Sequence, residues 1–180
     1  MPIVYKYFDT PLGKMMGAAT DDGVCLFEFE YRRSLSKIQQ RIEDALQMEY
    51  EEGEHPLLDQ LEKEAKEYFS GQRMLFDVPL NMIGTDFQKK VWKGLLDIPF
   101  GETRSYKKQS IYLGDVKAIR AVATANGQNG IAIIVPCHRV IGDNGSLVGY
   151  GGGLPKKKWL LEHEAKYSGK DLQMGLFEQS

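Results

Sequence analysis

Ser105-Tyr106-Lys107-Lys108-Gln109-Ser110-Ile111-Tyr112, then Leu113-Gly114-Asp115, then Val116-Lys117-Ala118-Ile119-Arg120-Ala121-Val122-Ala123-Thr124-Ala125-Asn126 is the stretch on which the fold turns. Ser105 can cap a short helix through about Tyr112. The Leu-Gly-Asp triplet makes a turn, and a further helix runs from about Val116 to Asn126. Helix, tight glycine turn and helix together outline a helix-turn-helix. The second helix is a slim rod whose alanines leave Arg120 as the only charge in its middle. A rod of that kind can enter a minor groove only about 6 Å wide. The same pattern also fits a helix packed tightly on its neighbour with Arg120 in solvent.

Towards the C-terminus, Ile131-Ala132-Ile133-Ile134-Val135 is short and apolar enough for a buried strand that ends at Pro136. Cys137-His138-Arg139-Val140 follows, so a thiol and an imidazole arrive where a rigid element stops. A thiolate is the strong nucleophile, and a nearby base can produce it. A Cys-His pair alone also fits a buried structural cysteine. Towards the N-terminus, Thr85 can cap a helix over Asp86 to Leu96 that turns Phe87, Val91, Leu95 and Trp92 inward. Ile98-Pro99-Phe100-Gly101 stops it.

The first 75 or so residues read as a small α+β unit. Ile3 to Phe8, Lys14 to Thr20 and Val24 to Phe29 are expected strands separated by tight turns. Ser34 to Glu49 has helical spacing at Leu35, Ile38, Ile42, Ala45 and Leu46, behind a Ser34 cap. A second helix follows Pro56 and ends at Ser70-Gly71. Residues 49–54 read as an exposed acidic loop and residues 76–84 as an extended connection. The expected division is 1–83, 84–166 and a tail, 167–180, without readable signal.

The chain has 180 residues and a net charge of −2. That balance hides an asymmetry: residues 1–83 carry 9 Lys/Arg against 16 Asp/Glu, and residues 84–166 carry 13 against 7. A basic half suits a polyanion such as nucleic acid, and it also fits a plain solvated surface. No stretch approaches the roughly 18 apolar residues of a membrane span, and the N-terminus does not read as a signal peptide. Two cysteines make no disulfide framework, which favours a reducing, cytoplasmic location.

Several ordered motifs together resemble the 6-O-alkylguanine-DNA alkyltransferases. They are Gly84 to Trp92, Ile98 to Tyr106, Arg120-Ala121-Val122, Asn126 to Asn129, Pro136 to Ile141, Gly149 to Gly153 and Trp159 to Glu164. The likeness runs over 84–164 without a gap and extends loosely over the N-terminal half through His55-Pro56-Leu57-Leu58 and Tyr68-Phe69-Ser70-Gly71. It implies an α+β protein: a small N-terminal α/β, ribonuclease-H-like unit, and a mostly helical C-terminal unit containing the helix-turn-helix.

The resemblance also implies a chemistry. Cys137 would take the alkyl group from 6-O-alkylguanine, and from 4-O-alkylthymine, in double-stranded DNA. His138 would remove the thiol proton through a water and Glu164 would orient the imidazole. The product is a thioether, which water does not cleave, so the protein would work once. The base must leave the stack; Arg120 would fill the gap, with Ala118, Ala121 and Thr124 on the DNA-facing helix. Tyr106 would donate to guanine N3, Asn129 would brace the turn before the cysteine, and the carbonyls of Cys137 and Val140 would accept from the guanine amino group. Tyr150 and Gly151 would form a lid. No cofactor, metal or membrane is implied, and the protein is expected to be a monomer.

Two departures stand out. Gly151 replaces a serine found in some members, which leaves room for larger alkyl groups. The zinc site of some members is incomplete, with only Cys25 and His55 as ligands, and Cys25 reads as core. His163 reads as packing or solvent-facing, Lys156-Lys157-Lys158 as a solvated face that, near the lid, could also meet phosphate, and Trp92 and Trp159 as core. A lesion sensor is disfavoured by Cys137. A cysteine hydrolase would leave Arg120 without a role, and a transcription regulator would need longer base-reading side chains.

Overall fold

The computed structural model describes residues 1–169. The chain divides into two compact units, one made of residues 1–85 and 130–132, the other of residues 86–129 and those from 133 on.

In the first unit, β1 (Ile3–Thr10), β2 (Gly13–Thr20) and β3 (Gly23–Phe29) form an antiparallel meander, joined by β4 (Tyr50–Glu52) in the order β3-β2-β1-β4. Alternation along β2 sends Met16 and Ala18 to one face, where they meet Leu35, Ile38 and Ile42 of α1 (Leu35–Leu46). Gly17 points to the other face, where an added Cβ would lie 2.4 Å from Phe8 and 3.0 Å from Leu61 of α2 (Pro56–Phe69). Helices thus cover both faces, and every residue of β3 is buried. The outer edge of β3 is also occupied. Val24 exchanges backbone bonds with Pro79 and Asn81, and Phe27 with Gly130 and Ala132. An unpaired edge would invite another chain. Here the connector and residues 130–132 close it.

Three expectations for this unit need correction. Ser34 precedes α1 without a side-chain cap, because its hydroxyl accepts from Arg32 Nε at 3.0 Å. The helix ends at Leu46, where Gln47 turns left-handed (φ 53), and Ala45 is exposed. The acidic run is no loop throughout: Tyr50–Glu52 pairs in parallel with Ile3–Tyr5 as an edge strand. Its Tyr50 ring packs 6.3 Å from Tyr5 while Glu51 and Glu52 stay exposed, so charge masked the strand.

The second unit holds α3 (Asp86–Leu95), β5 (Arg104–Ser105), α4 (Tyr106–Tyr112), α5 (Ile119–Gly127), β6 (Val140–Ile141) and α6 (Leu154–Ser168). Ser105 caps α4 by accepting from the Lys108 amide at 3.0 Å. The turn at Gly114 (φ 93) leads into a 3-10 turn over Val116–Ala118, capped by Asp115, so the second helix of the pair begins only at Ile119. Val91, Trp92 and Leu95 of α3 are buried, and Trp92 Nε1 donates to the Ala125 carbonyl at 2.9 Å. Phe87 is 42% exposed, against expectation, because it falls in the first turn of α3, ahead of the buried stripe.

The largest departure lies before the cysteine. Residues 132–134 form a turn and not a strand, and Ile133 adopts φ 72. All five apolar side chains are buried, and a run buried on every side carries no periodicity that separates strand from turn. A β-branched residue with positive φ is a strained conformation held by its surroundings. The tail residues 170–180 lie outside the described residues.

Candidate functional site

Cys137 sits on a 3-10 turn, Cys137–Arg139, closed by the Val140 amide donating to the Cys137 carbonyl. The turn feeds β6, which pairs in parallel with β5 in the register Arg104–Val140 and Ser105–Ile141. Because β5 runs straight into α4, this pair sets Tyr106 beside the cysteine turn. Asn129 Nδ2 donates to the Val135 carbonyl at 2.8 Å and lies 3.5 Å from Cys137 Sγ. It ties the end of α5 to the turn.

Cys137 is partly exposed and opens on a cavity of about 170 Å³ lined by Tyr106, Ala123, Asn126, Gly127, Gly149, Tyr150 and Gly151. Val140 is fully buried and is not among those lining residues. The Tyr106 hydroxyl donates to the Val148 carbonyl at 2.9 Å, and burial pushes its pKa up to about 12.

Behind the cysteine is a buried charge cluster. His138 and Glu164 are fully buried, with Nε2 2.7 Å from Oε2. Arg139 reaches the same carboxylate through Nε at 2.8 Å and Nη2 at 3.0 Å, and its Nη1 donates to the Ile98 carbonyl at 2.7 Å. The Gly101 amide donates to Oε1 at 3.3 Å. These partners hold the Glu164 carboxyl far below its usual range despite its burial. An ionised carboxylate only accepts, so Nε2 carries the proton and Nδ1 holds the lone pair. That Nδ1 is buried and has no hydrogen-bond partner. Burial pulls the His138 pKa below 6.5 against the pull of Glu164, and Arg139 and Lys157 add to it by opposing a further positive charge there. The resting imidazole is neutral.

On α5, Arg120, Ala121 and Thr124 are exposed, and Ala118, at the end of the preceding 3-10 turn, is half-buried. The Thr124 hydroxyl is spent on the Arg120 carbonyl at 2.9 Å.

Sequence reasoning missed what four residues do here. Arg139 is 7% exposed, and its signal was a charge set inside an otherwise apolar run. Lys157 was read as a solvated face but is fully buried, with Nζ 3.0 Å from the carbonyls of both Val148 and Gly149. Its helical spacing with Leu160, Leu161 and Glu164 gave it away. Gln109 and Asn126 exchange two 2.8 Å bonds across α4 and α5, a pairing no local pattern announces. His163 is buried and stacks on Trp159 at 4.8 Å, while Trp159 itself stays partly exposed. Among the described residues no group of three His, Cys, Asp or Glu side chains could hold a metal ion, and no helix is long and apolar enough to cross a membrane.

Comparison with known proteins meets this geometry in both units. The model of the 6-O-methylguanine DNA methyltransferase DNA-binding domain matches residues 86–166, and that family's ribonuclease-like domain matches residues 3–82. The methylated-DNA–protein-cysteine methyltransferase of Methanosarcina barkeri is 41% identical over 160 residues, 89% of this chain and 96% of its own. The Mycobacterium tuberculosis protein of the same name is 56% identical over 107 residues, which are 59% of this chain and 65% of that relative's length. Among solved structures, Mycobacterium tuberculosis OGT in complex with DNA superposes with a TM-score of 0.76 at 40% identity, covering 92% of this chain and 94% of that one. With both halves matched in order, and with the cysteine, imidazole and carboxylate assembled in the second, this chain belongs to the 6-O-methylguanine DNA methyltransferase family.

Proposed function

We propose that this protein repairs double-stranded DNA by moving the alkyl group of 6-O-alkylguanine, and of 4-O-alkylthymine, onto its own Cys137. The observation that carries the reading is the buried, unpartnered Nδ1 of a neutral His138, whose tautomer Glu164 fixes, one residue from a cysteine that opens on a cavity. A water between them would carry the thiol proton to Nδ1. The thiolate then attacks the alkyl carbon, the carbon–oxygen bond breaks, and its electron pair stays on guanine oxygen-6. Tyr106 would exchange its bond to Val148 for one to guanine N3, stabilising the charge that the leaving base gathers. The imidazolium returns its proton as the base is neutralised. The thioether remains, and the protein is spent.

DNA would enter along α5. The small side chains of exposed Ala121 and half-buried Ala123 allow close approach, and Arg120 would occupy the place of the extruded base. Gly149, Tyr150 and Gly151 would close over that base, and the carbonyl of Cys137 would meet its amino group; Val140, fully buried behind the cavity wall, is left out of that contact. The free thiols Cys25 and Cys137 fit a reducing, cytoplasmic setting, and the site is complete within one chain, as a monomer requires.

The test is an intact-mass measurement after incubation with duplex DNA containing 6-O-methylguanine. One methyl increment per molecule, absent in Cys137→Ala, is expected. Turnover without protein modification would identify a hydrolase, and binding without modification a sensor.

A further inference from the structure

A lysine buried near the start of a helix is poorly placed by three ordinary measures. Lys157 is fully buried, its charge sits four residues into α6, where the helix macrodipole disfavours cations, and no carboxylate pairs with it among the described residues. Burial pushes its pKa down to about 8. A methionine would fill the same space without those costs. What the ammonium adds is a pair of 3.0 Å bonds to the carbonyls of Val148 and Gly149.

Those carbonyls begin the segment that lines one side of the Cys137 cavity through Gly149, Tyr150 and Gly151. The segment contains Gly149, Gly151, Gly152 and Gly153, and Gly149 adopts φ 67. So glycine-rich a loop loses much backbone freedom when it is ordered. Charge-assisted bonds from a fixed helix offset that loss. Tyr106 cannot do so throughout the reaction. Its hydroxyl shares the Val148 carbonyl, and the proposed repair reaction draws that hydroxyl away to the base.

We propose that Lys157 is a positioning residue that pins residues 148–151 over the cavity, so that it sets how tightly the extruded base is held once Tyr106 has let go. It is not among the residues lining the cavity and acts through the lid. This rests on the alkyl-transfer reading above.

Two measurements on the full chain test it. In single-turnover transfer from free 6-O-alkylguanine, Lys157→Met should raise the half-saturating base concentration by about tenfold, as expected when a charge-assisted contact to the lid is lost. The limiting transfer rate should change by less than about threefold, since an interaction that binds without acting on the reacting atoms leaves that rate alone. Lys157→Gln, which keeps a donor, should fall between the two. A lower limiting rate at unchanged half-saturation overturns the proposal and places Lys157 at the reacting atoms.

Amide hydrogen exchange over residues 148–152 supplies the second readout and needs no variant at Lys157. The ionisable groups facing the ammonium are Tyr106 from α4 and Cys137 and His138 from the 3-10 turn, with Lys156 and Lys158 beside it on α6. Tyr106 stays protonated at pH 9, and His138 is neutral at both pH 7 and pH 9. In a Cys137→Ala background, protection of 148–152 should therefore drop between pH 7 and pH 9 after correction for intrinsic rates, while α5 is unchanged. Equal protection overturns the proposal. A wild-type protein that gains no alkyl mass sinks the repair reading instead, and the exchange result still reports on Lys157 and the lid.

Discussion

His138 and Glu164 share a 2.7 Å hydrogen bond in which both side chains are fully buried, yet the imidazole there is neutral. The folded state binds a proton at His138 less readily than the unfolded chain does, whose value is 6.5. The contribution to stability is therefore complete above pH 6.5 and is lost as pH falls through the lower folded value. Glu164, depressed from 4.5, adds a second loss at more acid pH. Urea midpoints measured from pH 8 to pH 2 should decline in two stages, the second beginning only below about pH 4.5, and His138→Gln should lack the first. Stability that rises between pH 7 and pH 5.5 would contradict the assignment.

The same neutrality sets the rate profile. A base that keeps its lone pair below pH 6.5 can still take the thiol proton there. Single-turnover transfer limited by His138 should be level from pH 7 to pH 6.5 and decline only below it. An inflection on the acid side of the profile lying above pH 7 would exclude a neutral His138 as its source.

Arg139 neutralises a carboxylate with no access to solvent. Arg139→Met leaves Glu164 with an uncompensated buried charge, which costs about 3–5 kcal/mol. Adding Glu164→Gln should recover part of the loss. Urea unfolding of the single and double variants reads the coupling, and simple additivity would separate the two residues.

Arg120 is exposed on a helix with little else to offer a duplex. Arg120→Ala should slow repair of duplex DNA by about tenfold or more, because extruding a base costs a few kcal/mol. Its reaction with free 6-O-alkylguanine should be unchanged. Equal losses on the two substrates would remove base extrusion from its role.

Gly151 leaves the cavity wall without a side chain. Gly151→Ser should lower the repair rate of benzyl adducts relative to methyl adducts. The ratio of second-order rates in the two proteins measures this, and an unchanged or reversed ratio defeats the idea.

Much of this architecture was legible because periodicity and punctuation agree. The β1–β3 meander alternates between two covered faces, and α4 begins at a serine that caps it. The Cys-His-Glu set was legible through motif order, and the structure brings His138 and Glu164 together across 26 residues. What stayed hidden depends on long-range partners. Arg139 is buried only because Glu164 and Ile98 come to meet it, and Lys157 only because two lid carbonyls do. The left-handed turn at Ile133 was invisible for another reason, since isoleucine is the residue that local preference would place there last.

Glu164 gathers an amide from position 101, an imidazole from 138 and a guanidinium from 139 onto α6. None of these contacts can form during synthesis until α6 has emerged. A nascent chain therefore exposes Cys137 with its imidazole still unoriented and its carboxylate absent. If the molecule has the single discharge proposed above, this order of assembly acts as a safety catch: the reagent is armed only once α6 stands behind it.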